Sequence, residues 1–244
     1  MQEPAAWRPL QRVRTHEQVL AAIEEQIVRG NLNAGDRLPS ERELADFLGV
    51  SRPSVREALR VLEWMGVVVA GVGSGKDAGS IIAGKPSEAL TRLLRLHLAL
   101  SHFSLDDVVR TRVTLESAAI EAAAARATAE SVSPLRALLE RMGDVDLEPS
   151  EFNELDTDFH VAIAVASGNK LLAELMQALR DAVQQKMVQA FERLPDYRVV
   201  ADRLRAEHTA IVDAVERRDR RGAIAAVGHH IDNFYREMLE QAVT

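Results

Sequence analysis

The chain has 244 residues, 47% hydrophobic and 27% charged, with 4% aromatics, 13 Gly and 8 Pro. That is the composition of a soluble, mostly helical globular protein with material for one large domain or two ordinary ones. There is no Cys, which excludes disulfides and thiolate metal sites. No apolar run reaches the roughly 18 residues that span a membrane, and the first residues do not resemble an export signal, so a cytoplasmic protein is expected. The net charge of −7 is uneven: residues 1–82 carry 10 Lys/Arg against 11 Asp/Glu, and residues 83–244 carry 20 against 26. A local basic surface in the first part is therefore compatible with an acidic whole.

Residues 15–29 read as a first helix, with Val19, Ala22, Ile23 and Ile27 at helical spacing. Gly30, Asn31 and Gly35 end it as turn residues. A short second helix starts at Ser40, an N-cap with Glu43 three residues on in a capping-box pattern. Leu44, Ala45 and Leu48 form its inner face, and Gly49 closes it. A third helix is predicted from about Pro53 to Trp64, capped by Ser51, with Val55, Ala58, Leu59 and Leu62 inward.

The period then changes. The β-branched stretch 66–70, the glycine-rich stretch 71–79 and Ser80-Ile81-Ile82 predict a two-stranded hairpin with a long loop. Residues 83–88, with Gly84 and Pro86, form the expected linker between a domain over 1–82 and another over 89–244. From Glu88 onward no strand is expected. Helices are predicted near 88–100, 105–127, 134–142, 150–166, 170–192, 197–218 and 221–240, with starts at Ser133-Pro134 and at Asp196. They lack a sustained heptad, so a globular bundle is expected.

Two helices joined by a tight turn and followed by a hairpin form a winged helix-turn-helix, whose second helix enters the DNA major groove. Arg52, Arg56 and Arg60 lie at i, i+4 and i+8 on one face, opposite Val55, Leu59 and Leu62. A guanidinium gripping guanine discriminates by about 1–3 kcal/mol per base. Ser51 and Ser54 stand at the helix start, where hydroxyls and free N–H groups hold phosphate. Arg37, Arg42 and Lys76 are placed to reach neighbouring phosphates or the minor groove. An arginine stripe alone is usually a solvated face; the capped helix, turn and hairpin around this one favour DNA binding. The stretch from Leu38 to Leu59 with the wing after it resembles the GntR family of bacterial regulators. The likeness is dense over residues 15–82 and implies DNA contact by Arg42, Arg52 and Arg56. The wing is longer and richer in glycine than the family's usual short form.

The second part holds four residues that can converge. Asp156 and His160 are i, i+4 among Phe152, Phe159 and Ile163, a spacing one metal ion can bridge. His208 shares a stripe with Leu204, Ile211, Val212 and Val215, and His230 one with Ala223, Val227, Phe234 and Met238; His229 falls off it. A single such histidine is usually a packed core residue, but three facing inward with a paired aspartate favour a site for Zn²⁺, Ni²⁺ or Mn²⁺. Arg112 lies on an apolar stripe with Glu116 four residues on. It is either a structural pair or a clamp for a ligand carboxylate.

Residues 88–240 resemble the FCD-type effector domain of the FadR subfamily of GntR regulators. The likeness rests on Arg112, Leu115, Glu116, Ala119, Ala122-Ala123, Asp156, Phe159-His160, Ser167-Gly168-Asn169, Glu207-His208 and His230. It implies a divalent metal, commonly zinc, on Asp156, His160, His208 and His230. It also implies a small organic acid beside the metal, with Arg112, Glu116 and Asn169 around it. Arg110 stands where the family often has an acid. Members without the metal bind long acyl groups, which the complete ligand set argues against. The expected protein is a mainly α homodimer that binds palindromic operator DNA and answers to a small carboxylate, most often as a repressor. The competing readings are a metal-sensing regulator and a metalloenzyme built on the His/Asp site.

Overall fold

The computed structural model describes residues 14–71, 79–83, 88–100, 103–194 and 196–242. The chain divides into two compact units, Met1–Ala89 and Leu90–Thr244.

In the first unit, α1 (Thr15–Val28), α2 (Glu41–Leu48) and α3 (Arg52–Trp64) precede the strands β1 (Val68–Ala70) and β2 (Ser80–Ile82). The capping box forms as read. Ser40 Oγ accepts from the Glu43 amide at 3.3 Å, and a Glu43 carboxylate oxygen accepts from the Ser40 amide at 2.9 Å. Gly49 closes α2 at φ 64°, the left-handed conformation a side chain resists. The chain can then turn at once into α3, which Ser51 caps with Pro53 in the first turn. Val55, Ala58, Leu59 and Leu62 of α3 bury against Val19 and Ile23 of α1, Leu44 and Ala45 of α2, and Val68 and Ile82 of the hairpin. Leu48, expected on the inner face of α2, is instead exposed in its last turn beside Gly49. The strands pair antiparallel, Val69 opposite Ile81. Residues 35–38 add a backbone edge to β2: Gly35 and Leu38 N–H donate to the Ile82 and Ser80 carbonyls, and Arg37 bridges Ile81. The loop tip over residues 72–78, with Lys76, lies outside the described residues.

The second unit is all-helical among its described residues: α4 (Glu88–Ala99), α5 (Leu105–Arg126), α6 (Ala129–Met142), α7 (Pro149–Ala166), α8 (Lys170–Glu192), α9 (Tyr197–Glu216) and α10 (Arg220–Ala242). Their shared core includes Ile120, Leu135, Met142, Phe152, Phe159, Met176, Leu204, Ile211 and Ile231. The edge-to-face contact of Phe152 with Phe191 fastens α7 to α8. Asp196 caps α9 by accepting from the Val199 amide. The start of α6 differs from expectation. The helix begins at Ala129, capped by Thr128 with Ser131 in a reciprocal box, and Pro134 lies inside it. Proline lacks the N–H that would bond to the Glu130 carbonyl, and the helix accepts this loss because Val132 and Leu135 on either side are buried in the core. Pro134 itself is exposed. Pro134→Ala is therefore expected to stabilise the helical unit by about 1–2 kcal/mol. Thermal unfolding followed by circular dichroism checks this; an unchanged or lower transition would contradict it.

Candidate metal centre and nucleic-acid surface

Four elements deliver the cluster. Asp156 and His160 come from successive turns of α7, His208 from α9 and His230 from α10, each flanked by the apolar residues of its own stripe. All four are buried, at 8%, 2%, 0% and 3% exposure. One donor atom of each lies within 4.8 Å of those of the other three. His160 Nε2 is 3.1 Å from His230 Nε2 and 3.7 Å from Asp156 Oδ1. His208 Nε2 is 3.1 Å from Asp156 Oδ1 without the alignment of a hydrogen bond, and neither of its ring nitrogens has a hydrogen-bond partner.

Carboxylates flank two of the imidazoles. His160 Nδ1 lies 2.5 Å from Glu116 Oε2, and His230 Nδ1 lies 2.9 Å from Glu207 Oε2. A carboxylate only accepts, so the hydrogen bond to Glu207 assigns a proton to His230 Nδ1, whereas the His160–Glu116 contact lacks hydrogen-bond alignment. Asp156 Oδ1 faces the histidines, while Arg180 Nη1 occupies its other oxygen at 2.5 Å. The centre thus brings three imidazole nitrogens and a carboxylate oxygen together, a ligand set that suits a divalent cation.

The protonation states agree. Burial, reinforced by the Arg180 charge, holds His160 down at about 3. Burial and the neighbouring His230 hold His208 below its usual value. Burial would push both carboxyls up, but Arg180 holds Asp156, and Arg112 with His160 and Arg180 holds Glu116, well below the usual carboxylate range. Neutral imidazoles beside a charged carboxylate are the state that ligates a metal. With bonds of about 2.0–2.1 Å, donor atoms sit about 2.9 Å apart around an octahedral ion and about 3.3 Å apart around a tetrahedral one. The four ligand atoms, all within 4.8 Å of one another, are near enough to close around one divalent ion.

Of the effector residues read from the sequence, Arg112 and Glu116 join this network, and their pairing is structural at least. Arg112 Nε donates to Glu116 Oε1 at 2.8 Å, and its Nη1 donates to the Tyr235 hydroxyl at 2.9 Å. Asn169 does not join. It is exposed at the N-cap of α8, where its side-chain oxygen accepts from the Leu172 amide; Asn is favoured at that position for this bond. Arg110 is also exposed and pairs with Asp106 at 2.8 Å, away from the buried group. Three residues were missed. Glu207 orients His230. Asn153 and Arg180 line, with Arg112, Asp156 and His230, a cavity of about 10 Å³ beside the cluster, room for about one water molecule. Arg180 carried a legible signal, because it shares a stripe with Met176, Val183 and Met187, all buried.

In the first unit Arg42, Arg52 and Arg56 are exposed, and Ser51 and Ser54 stand at the first turn of α3 with their hydroxyls 2.9 Å apart. Arg37 lies on the edge beside β2, its side chain running past Gly79. Arg56 has a partner that spacing could not show: it grips Glu41 of α2 with Nε at 3.1 Å and Nη2 at 2.8 Å. An exposed pair of this kind is worth about 1 kcal/mol or less, little enough to be exchanged for a base or phosphate.

Residues 15–76 match the model of the "Bacterial regulatory proteins, gntR family", and residues 107–233 match the FCD domain. The "HTH-type transcriptional repressor NanR" of Enterobacter sp. is 33% identical over 233 residues, covering 93% of this chain and 86% of the relative. Its Escherichia coli counterpart is 31% identical over 231 residues, covering 93% and 85%. Among solved structures, a GntR protein of Streptococcus agalactiae has the same fold, with a TM-score of 0.64 and 24% identity over 91% of this chain and 99% of that one.

Removing the Glu116 charge leaves Arg112 and Arg180 buried against a neutral amide. Glu116→Gln is therefore expected to destabilise the helical unit by about 3 kcal/mol or more in urea unfolding. A loss below about 1 kcal/mol would show that the two arginines do not depend on it. With a winged helix-turn-helix ahead of an FCD domain, and relatives along nearly its whole length, the chain belongs to the GntR family and is a DNA-binding transcriptional regulator of the FadR-like type.

Proposed function

We propose that this chain is a homodimeric, cytoplasmic repressor whose operator affinity is set by a small organic acid bound beside a divalent ion in its helical domain. The observation that carries this reading is the convergence of Asp156, His160, His208 and His230, all buried, with ligand atoms within 4.8 Å of one another and neither His208 ring nitrogen hydrogen-bonded. Zn²⁺ suits three imidazoles and one carboxylate best, with Ni²⁺ and Mn²⁺ as alternatives. When bound, the ion supplies a Lewis-acid position for an anionic group of the effector.

The chain's own residues do the rest. Glu116 and Glu207 hold the rings of His160 and His230, Arg180 keeps Asp156 ionised, and Arg112 adds a second guanidinium at the cavity. That cavity admits about one water molecule, so any larger ligand must move helices among α5, α7, α8, α9 and α10, which line it. An effector that separates packed helices favours one arrangement of the domain over another, and this differential affinity is what allosteric control requires.

At the other end of the chain, a reading head over 1–82 is joined by a linker over 83–88 to the effector domain over 89–244. Two copies related by a two-fold axis match palindromic half-sites. Arg52 and Arg56 read bases from α3, Ser51 and Ser54 hold phosphate at its start, and Arg37, Arg42 and Lys76 flank them. The repressor sign follows the relatives, both of which are named transcriptional repressors.

Two measurements test this. Elemental analysis of the purified protein is expected to find about one equivalent of a divalent ion per chain, lost in the double variant His208→Ala/His230→Ala; no ion in the wild type would return the histidines to the core. In a footprint of the gene's own upstream region, Arg52→Ala is expected to abolish specific protection while the circular dichroism spectrum is kept. Retained protection would overturn the recognition-helix assignment.

A further inference from the structure

Arg180 is absent from the four-residue ligand pattern, yet it is placed at the hinge of the buried charges. Its guanidinium is 4% exposed, donates from Nη1 to Asp156 Oδ2 and from Nη2 to Glu116 Oε1 at 3.3 Å, and keeps Nε without a hydrogen-bond partner. It borders the small cavity, where the Asn153 side-chain oxygen is likewise unpartnered. Among the described residues, the charges buried around the cluster are Arg112, Arg180, Glu116 and Asp156, two of each sign. Glu207, at the rim, already faces Arg203.

The interior is therefore electrically balanced before any ion enters. A divalent ion on Asp156 and three neutral imidazoles adds two positive charges, and outside the balanced set the nearest carboxylate among the described residues is Glu207, shared between His230 at 2.9 Å and Arg203 at 3.6 Å. Glu116 is committed to Arg112, Arg180 and His160, and Asp156 to Arg180. Uncompensated charge at such depth is strongly unfavourable.

We propose that Arg180 makes metal binding anion-dependent: by cancelling Asp156 it leaves the divalent ion tightly held only together with a small carboxylate, which enters at the cavity Arg180 borders and supplies the missing negative charge. This rests on the metal reading given above and adds the regulation of that site. Linkage makes the effect reciprocal: the carboxylate binds tightly only when the ion is present, so the domain registers the two together.

The test is a zinc titration of the full-length, metal-stripped protein against a competing chromophoric chelator, in a sulfonate buffer with perchlorate as the salt. It is run with and without saturating acetate at matched ionic strength. Acetate is expected to raise the apparent zinc affinity of the wild type roughly tenfold or more. Arg180→Lys, which keeps the charge, should retain most of that shift. In Arg180→Met the affinity without acetate should equal or exceed the wild type's, and the acetate effect should fall below about threefold, with circular dichroism confirming the fold. Tight zinc binding that ignores acetate in the wild type would overturn the anion dependence and leave the metal site standing. So would an Arg180→Met loss that is equal in both conditions, which would reduce Arg180 to positioning Asp156. A wild type that takes up no zinc under either condition would instead overturn the metal reading itself. If Arg180→Met does not fold, the wild type and Arg180→Lys decide the question.

Discussion

Asp156 and Glu116 are buried because Arg112 and Arg180 are buried with them, and most of the helical domain is arranged around that exchange. The two guanidiniums and two carboxylates come from three helices, α5, α7 and α8, and each charge has an opposite neighbour within hydrogen-bonding distance. None of the four is tolerable alone at this depth. Together they fix the register of the three helices, since sliding any one by a turn would strand an ion. The imidazoles inherit their orientation from the same network: Glu116 holds His160, and Glu207 reaches His230 from the neighbouring turn of α9. The clustered histidines and Asp156 are thus positioned by carboxylates and arginines around them, the kind of support that surrounding residues give a metal site.

The reading head works on different physics. Its core is small and aliphatic, and its precision comes from backbone devices: a reciprocal cap at Ser40 and Glu43, a left-handed glycine at 49, and a serine-capped third helix with proline in its first turn. These hold the exposed arginines of α3 on a firm base. The Glu41–Arg56 pair adds a weak tie that keeps one of them ordered and releases it at little cost. Strong, desolvated electrostatics sit in the helical unit, and weak, solvated electrostatics sit on the helix-turn-helix.

What was legible in the sequence follows from the same physics. Caps, turns and apolar stripes are local, so α1 to α3, the hairpin and the inward faces of α7, α9 and α10 could be read from spacing, and Asp156 with His160 announced itself at i, i+4. Pro134 misled because proline so often opens a helix that it hid the better cap at Thr128. Asn169 was drawn toward the pocket by resemblance, whereas its side chain serves the start of α8. The Glu41–Arg56 contact spans fifteen positions and no periodicity reports it. Arg180 was within reach: the stripe argument that placed Arg112 inward applies equally to a residue between Met176 and Val183. An arginine followed directly by Asp181 simply looks like a solvated one.

X-ray absorption spectroscopy of the zinc-loaded protein distinguishes a metal centre on the four buried side chains from a packed histidine cluster. A first shell of nitrogen and oxygen at about 2.0–2.1 Å, with the scattering of three imidazole rings beyond it and no sulfur, is expected. A shell of oxygen alone, or one with at most a single imidazole, would place the ion elsewhere and return the histidines to the core.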